Sequence, residues 1–285
     1  MRTRPQIRRR AVLVAPASDE RKATKALAST ADEVVLDLED AVAPAAKHAA
    51  RVTMYRMLST LSADRTVSVR INGLATNWAH DDLDVCASLG SKLRSIIVPK
   101  VETAEQLDEV SASLAATNIG VQALIETPAG IENATRIARS NSRLESLILG
   151  YADLGAALGR SELAGPAMWL SHQDIILTAA RAAGIHAIDG PYLGISDDPP
   201  FRQWARWSSD LGFDGKWVIH PNQIDSAETI FTPSADAVAH AHSVLRAMAE
   251  AEARGAGAAQ FDGRMLDEAI AVSARRVLTR IGGTP

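Results

Sequence analysis

The sequence predicts an α/β chain that closes eight parallel strands into a (β/α)8 barrel and then continues into a C-terminal helical extension. Three observations carry this. Short runs rich in valine, isoleucine and leucine recur eight times; segments of helical period and length separate them; and each run stops at a polar residue, a proline or a glycine.

The runs can be taken in order. AVLVA at 11–15 comes first, and behind it Ser18 is the predicted N-cap of a helix whose first turn carries Asp19 and Glu20. EVVLDLE at 33–39 begins as a buried strand and ends in Asp37, Glu39 and Asp40. TVSVRIN at 66–72 and SIIVPKV at 95–101 follow, the latter leading to Thr103 and Gln106 at capping-box spacing. VQALIET at 121–127 and LESLILG at 144–150 are the fifth and sixth. The next helix, at 169–184, puts Trp169, Gln173, Ile176 and Ala180 on one stripe and stops at Gly184. IHAIDG at 185–190 and KWVIHP at 216–221 complete the eight. Beyond them the pattern predicts one helix at 234–255, a small-residue loop, and a last helix at 264–282. The expected division is therefore a barrel over 1–232 and an extension over 233–285, which serves as a lid or as a contact with a neighbouring subunit.

Composition narrows the function class. With 285 residues and 47% hydrophobic content the chain can bury a large core. A net charge of −4 supplies no field for gripping nucleic acid or an anionic membrane. The basic start MRTRPQIRRR precedes only AVLVA before Pro16, too short an apolar run for a signal peptide or a spanning helix, so a soluble cytoplasmic protein is expected. The single cysteine, Cys86, excludes an internal disulfide and is read as core packing.

In a parallel barrel, functional groups project from the C-terminal ends of the strands. Those positions are polar here: Glu39, Asp40, Arg70, Asn72, Lys100, Glu126, Asp153, Asp189 and His220. Glu126 and Asp153 close consecutive strand units, and two hard carboxylates suit Mg2+, which completes its octahedron with water and substrate. The competing account has Asp153 capping a short helix and Glu126 pairing with Lys100. Arg70 offers a rigid fork to a carboxylate or to an oxygen gaining charge; alternatively it pairs with Asp37 or Glu39.

The strand-end words, read in order, form a pattern. LDLEDAV followed by Lys47 and Arg51, then VRING, VPKVET, LIETPAGI, LGYADL, AIDGPY, LGFDGKWVIHPNQI and FDGRMLD, resemble the citrate lyase β-subunit-like family, also called the HpcH/HpaI aldolase and CoA-ester lyase family. The resemblance runs from about Leu13 to about Leu278. It implies a TIM barrel, Mg2+ held by Glu126 and Asp153, a substrate carboxylate or carbonyl bound at Arg70, and an acidic pair, Asp37 and Glu39, steering that arginine. Arg21 and Lys22 are available to meet phosphates of the CoA moiety, for which Lys47 and Arg51 are further candidates; the resemblance implies that Asp267 exchanges a proton with substrate, often from the next subunit of a homo-oligomer, for which a trimer is the first expectation. Three departures stand out. Ala152 occupies a position where relatives carry an acid, Glu268 and Ala269 replace the proline that usually follows the C-terminal word, and LVAPASDERK replaces a glycine-asparagine loop.

The expected reaction is reversible cleavage of a β-hydroxyacyl-CoA thioester of malyl or citramalyl type to an acyl-CoA and a small 2-oxo acid. Rival readings are a Schiff-base aldolase using Lys100 or Lys216, a condensation followed by thioester hydrolysis, a CoA-independent hydroxy-acid aldolase, and a non-catalytic barrel that binds CoA esters.

Overall fold

The computed structural model describes residues 7–282 apart from 63, 162–163, 256–258 and 262. The chain opens with β1 (Ala11–Pro16), α1 (Glu20–Leu27), β2 (Glu33–Asp37), α2 (Lys47–Ser59), β3 (Val67–Arg70), α3 (Ala79–Leu89), β4 (Ser95–Val98) and α4 (Ala104–Ser113). It continues through β5 (Gly120–Ile125), α5 (Pro128–Glu132), α6 (Ala134–Ser140), β6 (Leu144–Leu149), α7 (Tyr151–Leu158), α8 (Leu170–Ala183), β7 (His186–Asp189), α9 (Pro199–Leu211) and β8 (Gly215–Val218). Then come α10 (Ile224–Phe231), α11 (Ala235–Ala253), β9 (Ala259–Phe261), β10 (Arg264–Leu266) and α12 (Glu268–Arg280).

Strands β1 to β8 form a closed barrel in sequence order, all parallel, with β8 paired back onto β1. Such strands are covered on both faces, which is why β2 and β5 read as continuous buried runs without alternation. The barrel interior is filled by Val12, Val35, Ile97, Leu124, Ile148, Ile188 and Trp217. Pairing of Asp37 with Arg70 places an acid and a base side by side at the top of β2 and β3.

The opposite end is also charged, contrary to the expectation that polar groups converge on one rim. There Arg9 Nε donates to Glu33 Oε2 at 2.6 Å, Gln122 Nε2 donates to Glu33 Oε1 at 2.7 Å, and Ser146 Oγ donates to Gln122 Oε1 at 2.6 Å. Arg9 and Arg94 both reach Glu145. These groups satisfy one another completely enough to plug the barrel floor. Charge alone therefore does not identify the functional end.

Local signals are met with small shifts. Thr103 and Gln106 form the capping box, and Gly184 ends α8 in the left-handed region at φ 69°. The cap of α1 is Asp19 rather than Ser18: its carboxylate accepts from Lys22 N at 3.0 Å, one residue closer to the helix than expected. Cys86 is buried, and burial raises its thiol pKa.

Contacts divide the chain into Arg9–Thr229, which holds the barrel, and Met1–Arg8 with Ile230–Pro285. In the second unit the helix expected from residue 264 starts only at Glu268, because β9 and β10 pair as an antiparallel hairpin with Gly263 at φ 71°. Its core is Ala241, Val244, Ala251, Leu266, Ala274 and Leu278. Among the described residues, no helix is long and apolar enough to cross a membrane.

One titratable group at the start of β7 makes barrel stability depend on pH. Burial, opposed by Asp214 and reinforced by Arg9 and Arg181, pushes the His186 imidazole down to about 4, and its buried Nδ1 has no hydrogen-bond partner. The unfolded chain takes up this proton near pH 6.5, so stability falls as pH drops from there towards 4, by up to about 3 kcal/mol. Urea unfolding at pH 7 and 4.5 should show this loss in the wild type and a correspondingly smaller loss in His186→Gln.

Candidate active site

At the top of β2, the fully buried Asp37 uses both carboxylate oxygens twice. Oδ1 accepts from Arg70 Nε at 2.7 Å and from Glu39 N at 2.9 Å; Oδ2 accepts from Arg70 Nη2 at 2.6 Å and from Ala41 N at 3.0 Å. One side chain thus fixes both the following turn and the direction of the guanidinium. Arg70 Nη1 also lies 2.8 Å from Glu39 Oε2, and the Trp217 ring centroid is 5.8 Å from its Cζ. Burial opposes the charge on Arg70, but Asp37, then Glu39 and Glu126, hold its pKa above the usual value.

Lys100 follows β4 in the left-handed region, at φ 51°. That backbone turn aims its amide at Glu126 Oε1, 3.0 Å away. Its ammonium reaches Glu39 Oε1 at 2.6 Å and Asp153 Oδ2 at 2.8 Å, with Glu126 Oε1 at 3.9 Å and Asp40 Oδ2 at 4.0 Å. Burial lowers the lysine pKa, yet Asp153 and Glu39 raise it well beyond that, so the group stays charged. This is unsuited to a Schiff-base lysine, which must be neutral to attack. Lys216 is no better placed: it is fully buried and pairs with Asp189.

Glu126 extends β5 and is buried against Gly150, where a Cβ would come within 2.5 Å of the Glu126 Cβ and 2.6 Å of Oε2. Glycine is required there because the carboxylate lies across the end of β6. Burial first, then repulsion from Glu39 and Asp153, outweigh Lys100 and Arg70 and push the Glu126 carboxyl up to about 8. Burial likewise raises Glu39 against the pull of Arg70 and Lys100. Asp153 stands in the first turn of α7. Its buried Oδ2, like Glu39 Oε2, has a cation nearby but no aligned hydrogen bond. Such oxygens retain coordinating capacity. Among the described residues, no group of three or more His, Cys, Asp or Glu forms a metal cage; two carboxylates are nonetheless what Mg2+ commonly takes from a protein.

Arg70, Asp37, Glu39, Glu126 and Asp153 are therefore linked at one end of the barrel, with Lys100 at their centre. Sequence reasoning placed Lys100 among the polar strand ends, as a partner of Glu126 or a rival Schiff-base lysine, but not at the centre of the site; its place at a strand end next to acids was the available signal. A cavity of about 570 Å³ opens beside the cluster, lined in part by Glu39, Asp40, Asn72, Trp78 and Lys100.

The other expected members have partners of their own. Asp189 is fully buried and bonds to Tyr151, Ser208 and Lys216. His220 caps a short turn by accepting from Asn222 N at 3.2 Å. Lys47, which lines the cavity beside the cluster, and Arg51 are both buried and hold loops through bonds within the chain. Lys47 Nζ donates to the carbonyls of Leu38 and Glu39, each at 2.7 Å, while Arg51 Nε donates to Asp82 Oδ1 at 2.9 Å. Lys22, with 60% of its side chain exposed, pairs loosely with Asp19 at 3.7 Å. Asp267 caps α12 in the second unit by accepting from Ile270 N at 3.1 Å.

Residues 10–221 match the family described as HpcH/HpaI aldolase/citrate lyase. The chain belongs to that family. It is similar to an L-malyl-CoA/beta-methylmalyl-CoA lyase of Cereibacter sphaeroides, 38% identical over 90% of each chain. A (3S)-malyl-CoA thioesterase of the same organism is 35% identical over 95% of this chain and 94% of that one. The solved structure of CitE from Mycobacterium tuberculosis, in complex with magnesium, acetoacetate and coenzyme A, superposes with a TM-score of 0.78 at 33% identity, covering 95% of this chain and 97% of that one. The family's (β/α)8 barrel is thus the frame on which the cluster is built.

Breaking the fork on Arg70 should be costly. Asp37→Ala leaves a buried guanidinium short of its main partner and frees two backbone N–H groups, so urea unfolding is expected to show a loss of about 3–5 kcal/mol.

Proposed function

We propose that the mouth of the barrel is the active site of a magnesium-dependent carbon–carbon lyase, which reversibly cleaves a β-hydroxyacyl-CoA of malyl or citramalyl type into an acyl-CoA and a small 2-oxo acid. The observation that carries this reading is the Asp37-oriented Arg70 beside Glu126 and Asp153, in a chain 38% identical to a malyl-CoA/beta-methylmalyl-CoA lyase.

The donor set fits the metal. Glu126 and Asp153 supply hard oxygens, and Asp153 Oδ2 is buried without an aligned hydrogen bond. When bound, Mg2+ supplies Lewis-acid polarisation of the substrate's hydroxyl and neighbouring carboxylate. The protein's own groups do the rest. Asp37 locks the fork of Arg70, whose remaining donor capacity stabilises oxygen that gains charge as the carbon–carbon bond breaks, an effect of about 3–4 kcal/mol for one well-aimed donor. Glu39 bridges two cations, Arg70 through Oε2 and Lys100 through Oε1, and keeps both in register. As the substrate hydroxyl gives its proton to the Asp267 carboxylate, its C–O bond becomes a carbonyl and the carbon–carbon bonding pair passes to the acyl α-carbon as an enolate. That carbon must then be protonated, a role assigned to Asp267. The exposed Lys22 is assigned to the phosphates of the CoA moiety.

The second unit exposes Met265, Ile270 and Val272. We assign it to contact between copies of the chain in a homo-oligomer, a trimer being the first candidate, and to covering the site. A cytoplasmic enzyme accords with a buried, unpaired Cys86. Thioester hydrolysis after condensation is a second reading, favoured by the likeness to a (3S)-malyl-CoA thioesterase; release of free CoA from malyl-CoA, read with a thiol reagent, separates the two.

Glu126→Gln and Asp153→Asn should each lower kcat at least a hundredfold with an unchanged far-UV spectrum, and EDTA should abolish wild-type turnover. Full activity in EDTA argues against the whole scheme. Asp267→Asn should lower kcat much more than it raises KM, as expected for a proton donor acting in the transition state.

A further inference from the structure

Behind the mouth, on the outer side of the barrel, lies a buried polar network that the reaction scheme leaves unused. Its centre is the hydroxyl of Tyr151, the first residue of α7. That hydroxyl donates to Asp189 Oδ1 and accepts from Gln173 Nε2 at 2.7 Å. Asp189 Oδ2 accepts from Ser208 Oγ at 2.6 Å and from Lys216 Nζ, which also donates to the Gly190 carbonyl at 2.6 Å. Gln173 Oε1 accepts from Trp207 Nε1 at 2.9 Å. Asp189, Gln173, Ser208 and Lys216 are all fully buried. Four elements, β7, β8, α8 and α9, thus contribute to one network, in which β7 and α8 bond the hydroxyl itself.

Packing holds the same residue. The Tyr151 ring meets Trp169 and Trp204 edge-on, with centroids 5.0 and 5.3 Å away. A Cβ on Gly190 would fall 2.0 Å from the Leu149 carbonyl oxygen and 2.8 Å from Tyr151 Cδ2, so β7 is pressed against the start of α7. Gly150, between β6 and Tyr151, donates its N–H to the Ile125 carbonyl at 2.9 Å. The first turn is therefore pinned from both sides.

Two residues on from Tyr151 stands Asp153. At about 100° per residue, side chains two apart point to roughly opposite sides of a helix. Tyr151 accordingly faces into the network while Asp153 faces Lys100 at the mouth. We propose that Tyr151 is a positioning residue: its hydroxyl, held by Asp189 and Gln173, sets the rotation of the first turn of α7 and so places the Asp153 carboxylate for the divalent cation. A phenyl ring would fill the same space with the same edge contacts. The buried Lys216–Asp189 pair is costly to desolvate, which makes it weak as a source of stability and better suited to fixing one arrangement.

This inference rests on Asp153 as a Mg2+ ligand, and the experiment separates the two claims. Mg2+ is titrated calorimetrically into the metal-free full-length chain and into Tyr151→Phe and Trp207→Phe. Tyr151→Phe should raise the Kd for Mg2+ about tenfold or more, the usual effect of removing a group that orients a ligand, with kcat at saturating Mg2+ recovering most of the wild-type value. Trp207→Phe, at the half-buried outer end of the network, should produce a smaller rise, and it decides the matter alone if Tyr151→Phe does not fold. A lowered Tm with an unchanged Kd in the folded variants overturns the positioning role. No Mg2+ binding by the wild-type chain overturns the metal reading itself.

Discussion

The bidentate pair between Asp37 and Arg70 is the constraint on which the mouth of the barrel depends. Both groups are buried, and burying two charges is unfavourable unless every lone pair and donor is used. Asp37 meets that condition by accepting two bonds from the guanidinium and two from the turn that follows it. The same carboxylate therefore aims the cation and shapes the backbone carrying Glu39. Parallel pairing of β2 with β3, which sets residue 37 beside residue 70, is what makes this possible.

From that pair, charge spreads in one direction. Glu39 passes it to Lys100, and Lys100 to Asp153 and Glu126, so acids that would repel one another share a central ammonium. At the barrel floor the reverse holds: Glu33, Gln122 and the serines form a closed set with nothing left over. Buried oxygens without aligned hydrogen bonds, on Asp153 and Glu39, occur at the mouth.

Much of this was legible from sequence. All eight strands were visible because both-face burial writes them as short, largely apolar runs that end in polar residues, and the order of their terminal words gave the family. What escaped was direction. Asp189 and His220 also close strands, but one points outward into a helix interface and the other folds back on its own turn; a one-dimensional pattern does not distinguish these from groups that face the mouth. The intrachain bonds of Lys47 and Arg51 were not legible either, because a basic residue on a helix carries no mark of what it will be buried against. The β9–β10 hairpin was missed because its strands are three residues each, too short for a period to register.

Lys100 joins two demands in a single residue. Its left-handed backbone, which costs an L-amino acid about 1–2 kcal/mol, lets the main chain address one acid while the side chain addresses two others. Glycine would relieve the torsion and forfeit the charge; a β-branched replacement would forfeit both. Only a long, unbranched cation can serve both contacts from this position.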